Sequence, residues 1–110
     1  MKLTITARHF KAKDSLQTYI KEKMNELLKY NENILFADVI FTSEKSNKEE
    51  HLSCEIILKL KEKILTAKST NSDSTRVFDL VYDKIENQLY KYMDKIKDKK
   101  YNKENLKIKR

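Results

Sequence analysis

Residues 52–71 read LSCEIILKLKEKILTAKSTN and contain two runs in which apolar and polar residues alternate. The apolar phase is occupied by Leu52, Cys54, Ile56, Leu58 and Leu60 in the first run, and by Leu65 and Ala67 in the second. A period of two is typical of a strand with one buried face, and the charged triplet at 61–63 indicates a turn. This stretch therefore predicts a β-hairpin, whose apolar face other elements must cover.

Two further strands are predicted before the hairpin. Leu3, Ile5 and Ala7 alternate with polar residues near the N-terminus, and the same period recurs over residues 36–44. The polar run KSNKEE at 45–50 predicts a loop between the second strand and the hairpin.

Two segments have the period of an amphipathic helix. Asp14-Ser15-Leu16-Gln17 is a variant of the capping box, and the helix after it should end near Tyr30. Asn71-Ser72-Asp73 supplies a cap for the last helix. Its apolar stripe consists of Val77, Val81, Ile85, Leu89, Tyr92 and Ile96. The order β-α-β-β-β-α predicts an α+β two-layer sandwich: a four-stranded sheet with both helices side by side on one face.

Length and composition indicate one domain. The 110 residues predict a single folded domain over residues 1–100 and a flexible basic tail at 101–110. There is no apolar stretch of membrane-spanning length and no signal-peptide core, so we expect a cytoplasmic protein. The single cysteine excludes an internal disulfide, and the complete absence of glycine excludes a Gly-rich phosphate loop.

Positive charge is concentrated in the last quarter of the chain. Residues 84–110 hold ten of the 24 Lys and Arg but only four of the 17 Asp and Glu. A basic helix on an otherwise near-neutral domain favours a polyanionic partner. The alternative is a solvated helix face whose lysines complement the helix dipole, although the excess extends further than the dipole requires.

The candidate RNA-binding residues follow from this pattern. Lys84, Lys91 and Lys95 are spaced seven and four apart and share roughly one helix face, which Lys97 and Lys99 extend. Lys23 of the first helix joins them in one basic ridge if the helices lie side by side. Arg8 lies at the first strand-to-helix turn, where a ligand contact and an ordinary surface position are equally consistent with the sequence. Tyr82 and Tyr90 lie off the apolar stripe and are candidates for exposed side chains.

Catalytic and metal-binding patterns are not found. His9 and His51 are alone in their segments, and Cys54 falls in the apolar phase of a strand, where a buried inert thiol is expected. Asp79 and Asp83 are interpreted as partners in intrahelical pairs. We expect no enzyme activity, no cofactor, no metal and no small-molecule substrate.

The chain resembles a short ribosome hibernation-promoting factor, of the family of ribosome-associated translation inhibitors, over residues 1–100. The matching positions are Leu3, Ile5, Thr6, Leu16, Lys23, Leu27, Tyr30, Asp73, Asp79, Asp83, Lys84, Gln88, Leu89, Lys91, Asp94 and Lys95. The resemblance implies two parallel helices on one face of the sheet. It also implies binding to the small ribosomal subunit, in the channel used by messenger RNA and tRNA, so that idle ribosomes are kept inactive.

The resemblance also assigns roles. Basic helix residues of the family contact ribosomal RNA, and by position this role passes to Lys23, Lys84, Lys91 and Lys95. Glu26, Asn87 and Met93 stand where the family often has a basic residue, and Arg76, Lys97 and Lys99 are candidates to compensate. A short form is expected to be a monomer away from the ribosome. A general structured-RNA-binding module and a basic protein-interaction domain are the alternative interpretations.

Overall fold

The computed structural model describes residues 2–29, 34–46 and 49–100, with side chains for 2–29, 34–44 and 51–94. The elements are β1 (Lys2–Arg8), α1 (Asp14–Lys29), β2 (Ile34–Ser46), β3 (Glu49–Leu60), β4 (Ile64–Asn71) and α2 (Ser74–Lys100). This is the predicted order of elements. The proposed tail at 101–110 lies outside the described residues.

The strands form one mixed sheet in the order β1-β2-β3-β4. β1 pairs with β2 in parallel, which requires a crossover, and α1 provides it. The pairs β2-β3 and β3-β4 are antiparallel. Because β1, β2 and β4 run in the same direction, the helices that return from β1 and β4 run parallel to one another, with both N-termini at one end of the sheet.

The core lies between the helices and one face of the sheet. The apolar phase of the central strands is fully buried, and Val39, Phe41 and Ile56 are 0% exposed. Ile20 of α1 and Ile85 of α2 are likewise 0% exposed. The helices and the strands thus bury their apolar faces against each other, which confirms the predicted two-layer α+β architecture. The opposite face of the sheet has no helix layer in the described part of the chain.

The loop predicted at 45–50 is wrong. β2 continues to Ser46 and β3 begins at Glu49, and the register pairs Lys45 with Glu50 and Ser46 with Glu49. A two-stranded ladder is held by backbone hydrogen bonds, which polar residues make as well as apolar ones. The strands therefore extend past the point where the core, and with it the apolar alternation, ends.

Side chains define the starts of both helices. The Asp73 carboxylate accepts hydrogen bonds from the backbone N–H groups of Thr75 at 2.9 Å and Arg76 at 3.4 Å, which confirms the predicted cap. α1 begins at Asp14, and the Gln17 side chain donates to the Ala12 carbonyl oxygen at 2.9 Å instead of closing a capping box.

The turn after β1 depends on a residue in the left-handed region. His9 has a φ of 56°. Histidine tolerates this conformation better than most non-glycine residues. It occupies a position that glycine usually takes, in a chain that contains no glycine.

Candidate nucleic-acid interface

One side of α2 lies along the edge strand β4. The Lys84 ammonium donates a hydrogen bond to the Lys68 carbonyl oxygen at 3.1 Å, and the Gln88 amide donates to the Thr66 carbonyl oxygen at 2.8 Å. Since Lys84 and Gln88 are four residues apart, they stand one above the other on the helix. We call the side of α2 that carries Lys84 and Lys91 the basic flank.

Lys91 follows Lys84 by two helical turns and is exposed. The two residues lie about 10 Å apart along the helix axis. The helix backbone continues through Lys95, Lys97 and Lys99, but their side chains lie outside the described residues. Lysine ammonium groups bind phosphate oxygens as point charges, so a row of this kind suits an extended phosphate backbone.

Lys23 lies on the other side of α2, where the two helices meet. Its ammonium is 4.9 Å from the centroid of the Tyr82 ring, and the Tyr82 hydroxyl donates to the Lys23 carbonyl oxygen at 3.2 Å. The ring therefore holds the ammonium by a cation–π contact while the hydroxyl ties α2 to the backbone of α1. Lys23 is partly buried in this position.

Carboxylates converge on the same junction. The Tyr19 hydroxyl donates to Asp79 at 2.6 Å; this hydrogen bond, with burial and the nearby carboxylates, raises the pKa of Tyr19 to about 12. Burial is the main cause that raises the pKa of Tyr82 to about 12, and the negative charges of Glu86 and Glu26 add to it. The carboxylates that raise these two pKa values are those of Asp79, Asp83, Glu26 and Glu86. We call these four residues the acidic strip.

The acidic strip divides the candidate lysines. Lys84 and Lys91 share the basic flank, whereas Lys23 is held between the helices at the acidic strip. The structure therefore does not bring Lys23 together with Lys84 and Lys91 in one continuous ridge. The physical reason is that the residues facing α1 and those facing β4 lie on opposite sides of α2.

The two arginines are also apart from the basic flank. Arg76 is exposed in the first turn of α2 and lines a shallow depression of about 310 Å³ together with Asp73, Asp79 and Asp83. Arg8 ends β1 in register with Thr42 and is exposed. It follows Lys2, Thr4 and Thr6 at steps of two, which places it on the open face of the sheet.

Sequence reasoning missed one part of this region. Tyr82 was a candidate for an exposed side chain, but it is only 5% exposed, and its ring centroid lies 5.8 Å from that of Phe78. The signal was present in the spacing: Tyr82 follows the buried Phe78 by four residues and so continues its face of the helix. The expected intrahelical pairing of Asp79 likewise gives way to its hydrogen bond with Tyr19 of α1.

Among the described residues, we looked for a metal site, a reactive thiol and a membrane span. No group of three or more His, Cys, Asp and Glu side chains lies close enough there to hold a metal ion. Cys54 is 0% exposed, and burial raises its pKa to about 12, as expected for an inert core thiol. In the same part of the chain, no helix has both the length and the apolar composition that a membrane span requires.

The family profile described as Sigma 54 modulation protein / S30EA ribosomal protein matches residues 3–97. The chain belongs to this family. A relative, the ribosome hibernation promoting factor of Azotobacter vinelandii, is 27% identical over 95 residues, covering 86% of this chain and 85% of that protein. The resemblance found from the sequence is thereby confirmed at the level of the family.

Two solved structures share the fold of this family member. A ribosomal subunit interface protein from Coxiella burnetii superimposes with a TM-score of 0.73 at 22% identity, covering 84% of this chain and 98% of that one. The N-terminal domain of Protein Y from Thermus thermophilus gives a TM-score of 0.69 at 20% identity, covering 84% and 99%. The arrangement of two helices on a four-stranded sheet is therefore common to all three.

Proposed function

We propose that this protein is a ribosome hibernation factor. It binds the small ribosomal subunit in the cytoplasm, occupies the channel for messenger RNA and tRNA, and inhibits translation in resting cells without catalysing a reaction. Membership of the S30EA family, over residues 3–97, is the observation that carries this proposal. The name of the Azotobacter vinelandii relative supports the hibernation role.

The electrostatics of α2 support ribosomal RNA as the partner and narrow the contact surface. The basic flank offers Lys84 and Lys91 to phosphates, and Lys95, Lys97 and Lys99 continue the same helix. Phosphate contacts fix position and orientation without reading base sequence. The acidic strip repels phosphate, so RNA lies along the β4 side of α2 rather than across both helices. Lys23, Arg76 and Arg8 are then peripheral contacts.

Binding should depend on the basic flank. Replacing Lys84, Lys91 and Lys95 together by Glu removes three positive charges and introduces three negative ones, and we expect cosedimentation with purified small subunits to be lost. A control replaces Lys21 and Lys29, both exposed on α1, by Glu; it changes the net charge by four units, as the double variant described next does, against six for the triple variant. This control should cosediment like the wild type. Retained binding of the triple variant would overturn the site.

A second variant distinguishes the loss of RNA contacts from a loss of folding. Lys84 donates a hydrogen bond to β4, so its replacement also removes a contact within the fold. The double variant Lys91→Glu/Lys95→Glu leaves that bond intact and should still weaken binding at least tenfold.

Two further measurements address the other classes of partner. Ribonuclease treatment leaves a protein partner bound, and a plain RNA duplex competes well only if the protein binds structured RNA in general.

A further inference from the structure

The turn that joins β3 to β4 carries two lysines, Lys61 and Lys63, on either side of Glu62. All three residues are exposed. The turn therefore has one more positive than negative side chain. It lies far from α2 in sequence, but the fold brings one of its lysines next to the basic flank.

The hairpin register places Lys63 on the helix side of the sheet. Lys59 is paired with Ile64, and the Leu60 N–H donates to the Lys63 carbonyl oxygen at 2.7 Å, so Leu60 and Lys63 stand opposite each other. Cross-strand partners project from the same face of a sheet. Leu60 is 1% exposed and belongs to the core beneath the helices. Lys63 therefore projects toward the layer that contains α2.

Lys63 meets α2 at Tyr92. Its ammonium lies 5.6 Å from the centroid of the Tyr92 ring, which is within the range of a cation–π contact. Lys84, Gln88 and Tyr92 follow one another at steps of four and form one row along α2. The first two bond to carbonyl oxygens of β4, and the contact with Lys63 continues the row to the end of the hairpin. The basic flank thus borders a seam between α2 and the hairpin.

The charges of α2 near this contact are basic. Lys91 precedes Tyr92 by one residue and Lys95 follows it by three, so at about 100° per residue both positions lie on the same side of the ring. By the same count Asp94 lies on the opposite side of the helix. Lys63 therefore adds its positive charge at the level where the lysines of α2 are closest together.

The other lysines of the hairpin face away from this seam. Lys59 and Lys68 are in the opposite phase of their strands and project from the open face of the sheet. Lys68 is also paired in register with Glu55. These two residues do not extend the basic flank.

The Tyr92 ring prepares Lys63 for a phosphate. Fixing a lysine side chain costs rotamer freedom, and the ring already restricts this ammonium in the free protein. Binding therefore costs less conformational entropy than it does for an unrestrained lysine. The ring lies on one side of the ammonium, which has three N–H donors. Because Lys63 is exposed, a phosphate oxygen has access to the other side.

We propose that Lys63 is a phosphate contact of the RNA-binding surface and that the Tyr92 ring positions it there. This inference rests on the proposed function, because it takes the basic flank as the RNA surface. It adds a residue of the β3–β4 turn to contacts that otherwise come from α2. The RNA backbone then lies along the seam between α2 and the hairpin and is held from both elements.

Titrations with small subunits at several salt concentrations test the contact. Lys63→Gln should lower affinity about fivefold to tenfold at about 0.1 M salt. It should also make the slope of the logarithm of affinity against the logarithm of salt concentration shallower by about 1, since one phosphate contact is lost. Lys61→Gln makes the same charge change in the same turn and should lower affinity by less than about twofold, with the slope unchanged.

A double-mutant cycle tests the role of Tyr92. Tyr92→Leu removes the ring but keeps an apolar side chain, and it should lower affinity about threefold when Lys63 is present. In the Lys63→Gln background the same change should have no further effect. Tyr92→Phe retains the ring and should bind like the wild type. An equal loss in both backgrounds would show that Tyr92 acts only through the packing of α2, which overturns its positioning role.

Failure of this inference differs from failure of the proposed function. An unchanged salt slope in Lys63→Gln, or equal effects of Lys63→Gln and Lys61→Gln, overturns the inference while binding through the basic flank stands. Retained binding of the triple lysine variant overturns the proposed site on α2, and Lys63 then has no RNA surface to extend. A wild-type protein that does not bind small subunits contradicts the proposed function itself.

Discussion

Tyr19 and Tyr82 tie the two helices together at the level of single side chains. Tyr19 donates from α1 to Asp79 of α2, and Tyr82 donates from α2 to the Lys23 carbonyl oxygen of α1. The Tyr19 ring also packs against Phe78 in an edge-on arrangement, with 5.9 Å between the ring centroids. Both hydroxyl groups must stay protonated to donate, so the contact between the helices depends on pH.

Alkaline conditions should therefore loosen the helix pair. The pKa values of both tyrosines are raised from 10.0 to about 12 in the folded protein. Their contribution to the free energy of unfolding is complete below pH 10 and is lost as the pH rises toward about 12. Tyr19→Phe should lower stability at pH 8 by about 1 kcal/mol, since it removes a hydrogen bond.

The double variant Tyr19→Phe/Tyr82→Phe should flatten the pH dependence of stability between pH 10 and pH 12, measured by urea denaturation at a series of pH values. Tyr90→Phe is the matched control. Tyr90 is 55% exposed, and its hydroxyl bonds to Glu86 on the same helix, not across the junction. An unchanged pH dependence in the double variant would contradict the assigned cause.

At the level of elements, α2 depends on its cap. The Asp73 carboxylate occupies two of the backbone N–H groups that the first turn leaves without a helical partner. Its negative charge also complements the positive end of the helix dipole. The side chain thus defines where α2 begins, and with it the helical phase that directs Lys84 toward β4.

Asp73→Ala should lower the free energy of unfolding by about 1 kcal/mol, because both hydrogen bonds are lost. Asp73→Ser retains a capping hydroxyl and should cost only a few tenths of a kcal/mol. Chemical denaturation measures both values. Equal losses in the two variants would show that the carboxylate acts through its charge alone and not as a cap.

The sequence was sufficient to predict the elements because each has a strong period. The alternation from Leu52 to Leu60 and the stripe from Val77 to Leu89 are direct consequences of burial on one face. The alternation of apolar and polar residues did not predict the strand ends at 45–50, where β2 and β3 continue beyond the core. Nor does a period say which strands pair: the parallel β1-β2 pair follows from the crossover through α1, a tertiary feature.

The candidate site was predicted only in part, for a related reason. Spacing on one helix places Lys84 and Lys91 together, since that relation is local. The position of Lys23 relative to them depends on which side of α2 faces α1, and this is decided by contacts between elements such as that of Tyr82 with Lys23.

For the whole molecule, the distribution of charge matters more than its total. The chain has a formal net charge of +7, yet carboxylates line the junction of the helices while lysines follow the β4 side of α2. General attraction to a polyanion depends on the total charge, whereas specific phosphate contacts depend on the flank. The salt dependence of binding distinguishes the two.

Contact with about five phosphates predicts a slope near −4 for the logarithm of small-subunit affinity against the logarithm of salt concentration. Lys91→Glu/Lys95→Glu removes two contacts and should make the slope shallower by about 2. Lys21→Glu/Lys29→Glu changes the net charge by the same amount on α1 but removes no phosphate contact. It should leave the slope unchanged while lowering affinity slightly at low salt. Titrations of labelled protein with small subunits at four or more salt concentrations give all three slopes. Equal slopes for the two double variants would mean that the protein binds through its overall charge and not through the basic flank.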